Sequence, residues 1–428
     1  MARRSTERAG PVAAEGPRRS AFGDSLRLLL TRRFGTFWFA SLLSNIGTWA
    51  QQVAQPWLLL NLGASSFLLG LDSFAMGAPA VALLLVGGVL ADRADRSRVI
   101  AFFQSIQFFC PVLIVVLLLT NSVQPWMIIL LSLVVGITDA LSMPSFQSIV
   151  PSIVERKQIA SGIALNSTQF NLSRIAGPAI AGVLMASVGA IACFALSAAS
   201  YVPFILVAIW ILPHGKGQSG GDASRFDYRR LFDGVRDISR EPALRNALLS
   251  VLATNLLCAP LITFCPVLIR DAFHEDVSHF SLTISALGVG GLFGAVGLLF
   301  VDPARDRRPL SAWFAACYGA SLVLAALDPW TWALPAVFVL AGTAMAVSNI
   351  SANSFLQASS PAGMRGQTVS LYMLAMRCGV SLGSLLTGVS VAMLGVRHAL
   401  LVNGGIALLV QAALGQAWCR SPLPETAR

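Results

Sequence analysis

Charge is scarce in this chain. Asp, Glu, Lys and Arg make up 12% of its 428 residues and hydrophobic residues 55%, against about 25% charged in soluble proteins. A soluble chain of this length would lack the polar groups to cover its surface. Histidine is nearly absent, and His214, His274, His279 and His398 all fall near loops. No spacing of His, Cys and carboxylates matches a metal site, no nucleophile sits beside a base, and no cofactor motif is present, so an enzyme is a poor fit. A Walker-type phosphate loop is missing, which argues against ATP hydrolysis. The seven cysteines are odd in number and scattered through apolar runs, so they read as small packing residues. Residues 1–33 are polar and Arg-rich with no apolar core, which excludes a cleavable signal peptide and leaves a solvated tail.

Long apolar runs fill the rest. Spans are expected at 35–60, 65–91, 98–120, 124–149, 158–187, 190–212, 244–270, 279–301, 310–327, 331–358, 366–394 and 397–419. Each approaches the ~20 residues that cross a bilayer. The net charge of +10 does not point to nucleic acid, because basic residues sort by membrane side. With a cytoplasmic N terminus, only Arg270 and Arg397 fall outside and only Arg174 and Arg377 fall within spans. All other Lys and Arg lie on the cytoplasmic side, which fixes the orientation.

The expected organisation is a cytoplasmic tail (1–33), a six-helix bundle (34–212), a cytoplasmic linker (213–243), a second six-helix bundle (244–420) and a short cytoplasmic tail (421–428). The linker begins with a flexible glycine stretch, His214 to Gly221. It continues with Phe226, Leu231, Phe232, Val235 and Ile238, spaced as in an amphipathic helix on the membrane surface. One constant offset sets Gly136 on Gly342, Ala160 on Gly366, Gly177 on Gly383 and Gly182 on Gly388. With the central linker this suggests two parallel repeats.

A charged hinge, Gly88-Val89-Leu90-Ala91-Asp92-Arg93-Ala94-Asp95-Arg96-Ser97-Arg98, joins the second and third spans. It resembles the G-x-L-A-D-R-x-G-R-R/K loop of the major facilitator superfamily. It departs at Asp95, where that family has glycine, and at Ser97. Gly177-Pro178-Ala179-Ile180-Ala181-Gly182 resembles the fifth-helix motif of facilitator antiporters, with Ala181 replacing a glycine. Ala164 to Pro178, Asn45 to Ala54 and Pro144 to Pro151 are similar to the transmembrane secretion effector branch, the group of the bacterial enterobactin exporter. The resemblance covers the first half and is diffuse in the second.

The resemblance implies an all-α membrane protein of twelve transmembrane helices in two pseudo-symmetric six-helix bundles. It also implies proton-driven efflux of siderophores, secondary metabolites or drugs from a bacterial inner membrane. The partners would be a small molecule, protons and lipid, and the chain would work as a monomer. A nutrient importer on the same fold and a non-transporting scaffold remain as alternatives.

Asp72, Asp139, Arg174 and Arg377 lie well within spans, where charge is expensive and marks function by default. Asp139 and Arg174, on successive helices, are the proton-coupling candidates. A structural ion pair is the even alternative. Asp72 is expected near the outer end of helix two, in a solvated vestibule. Asn45, Trp49, Gln52 and Gln55 form a polar face on helix one. With Asn255, Asn349, Asn353 and Arg377 they are the candidates for a substrate cavity, though amides also join helices. Gly88, Asp92, Arg93 and Arg96 are expected to form a conformational gate, with Asp92 as the latch. Gly177, Pro178 and Gly182 supply a kink and a close helix approach.

Overall fold

A computed structural model describes residues 27–155, 158–212, 240–302, 306–360 and 365–422. Most of the expected linker helix and nearly all of the two tails lie outside the described residues. Twelve long helical spans follow in order: α1 (Arg32–Asn61), α2 (Ser66–Arg93), α3 (Arg96–Leu119), α4 (Pro125–Ile153), α5 (Ile159–Ser187), α6 (Ala190–Trp210), α7 (Pro242–Ala272), α8 (Val277–Gly297), α9 (Arg308–Leu327), α10 (Leu334–Ser359), α11 (Arg365–Leu394) and α12 (Val396–Arg420). Within α7, Pro260 starts a second segment that ends in a wide turn, Leu268–Ala272.

Ten of the twelve are long and apolar enough to cross a membrane. The other two, α1 and α5, carry many amides and hydroxyls. Several of their polar groups are buried between helices, among them Ser41, Ser44, Gln55, Gln169 and Ser173. Outward positions are apolar: Phe102, Phe109, Trp313 and Leu409 are all strongly exposed. Trp330 and Trp332 stack at 5.9 Å in the α9–α10 connection, where aromatic side chains mark a membrane boundary.

The bundles repeat one packing scheme. In the first, α1 packs on α5 and α6, α2 on α4, and α3 on α4 and α6. In the second, α7 packs on α11 and α12, α8 on α10, and α9 on α10 and α12. Two seams join the bundles, α2 with α11 and α5 with α8, and they exchange under the same symmetry.

The offset glycines sit where each repeat needs its closest approach. A methyl group on Gly136 would overlap Met76 of α2, and one on Gly342 would overlap Leu287 of α8. Gly177 lies on α1 at Trp49, and Gly383 on α7 at Leu256. Gly182 meets α8 at Ser281, while Gly388 meets α2 at Ser66. Close backbone approach of this kind drives helix association in lipid, where no hydrophobic force distinguishes helix from solvent.

The core is divided unevenly along the membrane normal. The chain begins α1 and ends α12 at one face, which also holds Arg93, Arg96, Arg98 and Arg308 and is called the basic face below. Toward the opposite face, a single buried cluster joins both bundles, including Trp57, Leu59, Phe194, Phe264, Phe280 and Phe338. Toward the basic face, two clusters stay separate. One gathers Phe34, Phe37, Ile149 and Phe204 of the first bundle; the other gathers Leu244, Phe355, Tyr372 and Trp418 of the second.

Gly136→Val and Gly342→Val should each lower the thermal unfolding midpoint of detergent-purified protein. Overpacking at such contacts typically costs about 1–3 kcal/mol. Midpoints unchanged in both variants would contradict the packing described for α2–α4 and α8–α10.

Candidate functional site

The polar face of α1 is built against α5 and α6. Asn45 Nδ2 donates to Gln169 Oε1 at 3.1 Å, and Trp38 Nε1 to the carbonyl of Leu165 at 2.7 Å. Thr48 Oγ1 and the Tyr201 hydroxyl lie 3.1 Å apart. Gly177 lets this seam close, because its backbone rests directly on Trp49 and Ile46. Five residues on, Gly182 faces α8 of the other bundle. The motif around Pro178 therefore serves one contact within its bundle and one across the seam.

Mid-span charges meet across the bundles. Arg377 Nη1 of α11 lies 2.6 Å from Asp139 Oδ2 of α4. Their side chains are 29% and 37% exposed although both sit near the middle of their helices. Exposure at that depth places them on a cleft between the bundles. Arg377 Nη2 also approaches Met143 Sδ at 3.6 Å.

The sequence set Arg174 opposite Asp139, and the structure corrects this. Arg174 Nη2 reaches Met345 Sδ of α10 at 3.1 Å, and its guanidinium lies 5.6 Å from the centre of the Trp49 ring. The reason is packing. Successive helices α4 and α5 barely touch: α4 packs on α2 and α3, and α5 on α1 and α8.

The two arginines lie on related helices but three residues out of register, since the constant offset sets Arg174 on Val380; each crosses from its own bundle to a methionine of the other. The constant glycine offset sets Met345 on the position of Asp139. Arg377 meets a carboxylate beside its methionine, whereas Arg174 meets a thioether and a ring face. A thioether is a weak acceptor and a ring face adds about 0.5–2 kcal/mol, so Arg174 keeps a charge that no carboxylate among the described residues pairs with.

The other cavity candidates divide. Asn255 and Asn349 are buried and bond to one another at 3.4 Å, with the Tyr372 hydroxyl donating to the Asn349 carbonyl at 3.3 Å. Asn353 accepts from Gln357 Nε2 at 3.1 Å. Gln52 lines a pocket inside the first bundle rather than the cleft. Gln55 is buried there too, with its Nε2 donating to Asp72 Oδ2 at 2.7 Å. Asp72 itself is 5% exposed, not in a solvated vestibule as the sequence suggested.

In the hinge, the surroundings of Gly88 and the side chain of Asp92 lie outside what the structure describes. Arg93 is exposed, and Arg96 Nη1 approaches the Ser148 carbonyl of α4 at 3.4 Å. Asp95, the departure from the family pattern, caps α3. Its Oδ1 accepts from Ser97 N at 3.0 Å and from Ser97 Oγ at 2.6 Å. In the degenerate second copy, buried Arg308 pairs with Asp306 at 2.9 Å and donates to the Ser421 carbonyl at 2.7 Å. Burial pushes the Asp306 carboxyl up, but the hydrogen bonds and charge of Arg308 outweigh it and hold the carboxyl below its usual range. The sequence missed Met143, Met345 and Ser132, which carry no signal of their own within apolar runs.

Asp139→Asn should leave Arg377 without a charged partner, and Arg377→Gln should do the same to Asp139. The exchange Asp139→Arg with Arg377→Asp should recover part of the lost thermal stability of either single variant. A double variant no better than the sum of Asp139→Arg and Arg377→Asp would contradict a direct pair.

The family model described as transmembrane secretion effector matches residues 25–428. The chain is 27% identical to the staphyloferrin A transporter of Staphylococcus aureus over 61% of its own length and 66% of that relative, just under two thirds of it. It is 24% identical to the multidrug efflux pump Tap of Mycolicibacterium fortuitum over 82% of this chain and 87% of the relative. It is 25% identical to the enterobactin exporter of Shigella boydii over 85% and 86%. Among solved structures, a point mutant of the nucleoside transporter NupG superposes with a TM-score of 0.75 at 14% identity, covering 90% of this chain and all of that one. An inward-facing bacterial homologue of the iron transporter ferroportin superposes with a TM-score of 0.63 at 15% identity, covering 91% and 99%. The chain is a multi-pass membrane protein with the major facilitator fold, and it belongs to the transmembrane secretion effector family of that superfamily of transporters.

Proposed function

We propose that this protein is a proton-coupled secondary exporter of a small amphiphilic molecule (a siderophore, secondary metabolite or drug), working by alternating access. In this reading both termini face the cytoplasm of a bacterial cell, in its inner membrane. The bundles at 34–212 and 244–420 are joined by a cytoplasmic linker at 213–243, and a monomer suffices. The observation that carries it is the uneven core. One apolar cluster closes the bundles together at one face while two separate clusters leave them apart at the basic face. A cleft open toward the cytoplasm is the loading state of an exporter. The relatives that export siderophores and drugs support the direction.

The cleft's residues fit the cycle. Asp139 and Arg377 hold α4 and α11 together while the carboxylate is ionised. Protonation of Asp139 removes its charge and frees Arg377, weakening a cross-bundle bond as the cavity changes sides. Trp49 offers an aromatic face, and Arg174 offers a cation without a carboxylate. These two suit an amphiphile with an acidic group. Asp92, Arg93 and Arg96, with Gly88, would latch the basic face, and Gly177, Pro178 and Gly182 would let α5 slide in its seams.

In cells, loss of a preloaded dye or metabolite should require this protein and stop with a protonophore. Asp139→Asn should abolish that efflux while membrane insertion stays normal. Arg174→Met should raise the KM for an acidic substrate about tenfold or more, the range of one charge-assisted hydrogen bond. Protein-dependent accumulation in place of loss would favour the importer. Full efflux by Asp139→Asn would remove that residue from coupling.

A further inference from the structure

Asp72 of α2 lies inside the first bundle, 5% exposed, and takes no part in the cleft. Three helices hold it. Gln55 Nε2 of α1 donates to Oδ2 at 2.7 Å, and Ser132 Oγ of α4 donates to Oδ1 at 2.6 Å. Gln55 Nε2 also lies 2.8 Å from Ser132 Oγ, which closes the triangle. Beside it is a cavity of about 20 Å³, room for about one water, whose polar lining is Ser132 with Thr48, Gln51, Gln52, Gln55, Gln107 and Tyr201. No cation among the described residues pairs with this carboxylate.

A carboxylate at that depth must be neutralised or be costly to keep. A metal ion fits badly. Gln55 turns its amide nitrogen toward Asp72, and its oxygen accepts from Gln51 Nε2 at 3.4 Å. N–H donors aimed at the carboxylate repel a cation, and too few oxygens converge to hold one. A proton fits well. The Ser132 hydroxyl donates to the carboxylate, and a free lone pair lets it accept from the carboxylic acid instead.

The titratable groups around Asp72 are few. The thiol of Cys110 on α3 and the phenol of Tyr201 on α6 line the same pocket. The segment of α7 against α2 brings the thiol of Cys265, and α1 carries only Arg32 and Arg33, in its first turn at the basic face. These thiols and this phenol are uncharged at neutral pH in their ordinary range. α4 carries one charged residue, Asp139, and α11 carries Arg365 at its basic-face start and Arg377 at mid-span beside the thiol of Cys378; Asp139 and Arg377 are already paired, and Asp139 lies seven residues from Ser132, about 10 Å along the helix.

The site also touches the seam between bundles. Two residues before Asp72, Gly70 rests on Ser384 of α11. One residue after it, Ser73 Oγ lies 3.5 Å from Thr263 Oγ1 of α7, which lies 3.2 Å from Ser384 Oγ.

We propose that Asp72 is a proton-binding site, loaded through the glutamine-lined pocket and distinct from the Asp139–Arg377 pair, whose occupancy acts on the α2–α11 seam. The step forms one O–H bond at Oδ1 with a hydrated proton from the pocket, and nothing is oxidised or reduced. Its place in the transport cycle rests on the proton-driven reading above, but the binding itself does not.

The test is pH-difference infrared spectroscopy of the purified full chain in lipid, without substrate. The wild type should show the carbonyl stretch of a buried carboxylic acid. Asp72→Asn should lose that band, Asp139→Asn should keep it, and Ser132→Ala, which leaves the carboxyl in place, should shift its frequency. Sodium added at fixed pH should leave it unchanged. A band kept in Asp72→Asn and unmoved in Ser132→Ala would overturn the proposal, as would a band lost only in Asp139→Asn or displaced by sodium. Because no transport is measured, a protein that failed to export could still show the site.

Discussion

Apolar side chains of both bundles meet in one buried core toward the face away from the chain ends, and the rest of the structure depends on that meeting. In lipid, bundles gain nothing from hiding apolar surface, so tight packing must hold them. The core supplies it at one face only. At the basic face each bundle keeps its own core, and the space between is left to polar and charged groups. The two seams, α2 with α11 and α5 with α8, run beside this space. Glycines sit where those seams are tightest, so the contacts rest on backbone shape rather than on interlocked side chains.

Charge inside the membrane then acquires meaning from the departure from symmetry. Both bundles send an arginine across to the other. Among the described residues only Arg377 finds a carboxylate, Asp139, while Arg174 meets Met345, which the repeat sets at the position of Asp139. The pairing is a bond between bundles that a proton can weaken, and the unbalanced Arg174 is an attraction that an acidic ligand can answer. Asp72 differs from both. It is enclosed within one bundle and bonded only to neutral groups.

Much of the fold was legible in the sequence. The expected spans match the twelve helices, with ends mostly within two residues, although only ten of them are apolar enough for length and hydropathy alone to mark them. The largest differences, four residues each, are at the ends of α4 and α8: α4 continues through Pro151 to Ile153, since membrane helices tolerate such prolines, and α8 gives way at Gly297 to a tighter turn, Leu298–Phe300. The offset of Gly136, Gly177 and Gly182 disclosed the repeat because close helix approach leaves only one residue type available. The partners of the charges were not legible. Arg174 was set against Asp139 because α4 and α5 are successive, but helices adjacent in sequence are not those that pack. Gln55 and Asp72 were misplaced for a related reason: a polar stripe shows which residues avoid lipid, not whether they face the cleft or their own bundle's interior.

Alternating access requires the bundles to rock about their seams, opening one face as the other closes. It is tested most directly by distances between spin labels in lipid, on a background without native cysteines. One pair, Ser152→Cys with Gln357→Cys, spans the basic face at the ends of α4 and α10; the other, Gln124→Cys with Ser278→Cys, spans the opposite face. As pH is varied, the account predicts that the first distance shortens as the second lengthens, with both pairs showing two populations. Distances that stay fixed, or that lengthen and shorten together, would contradict it.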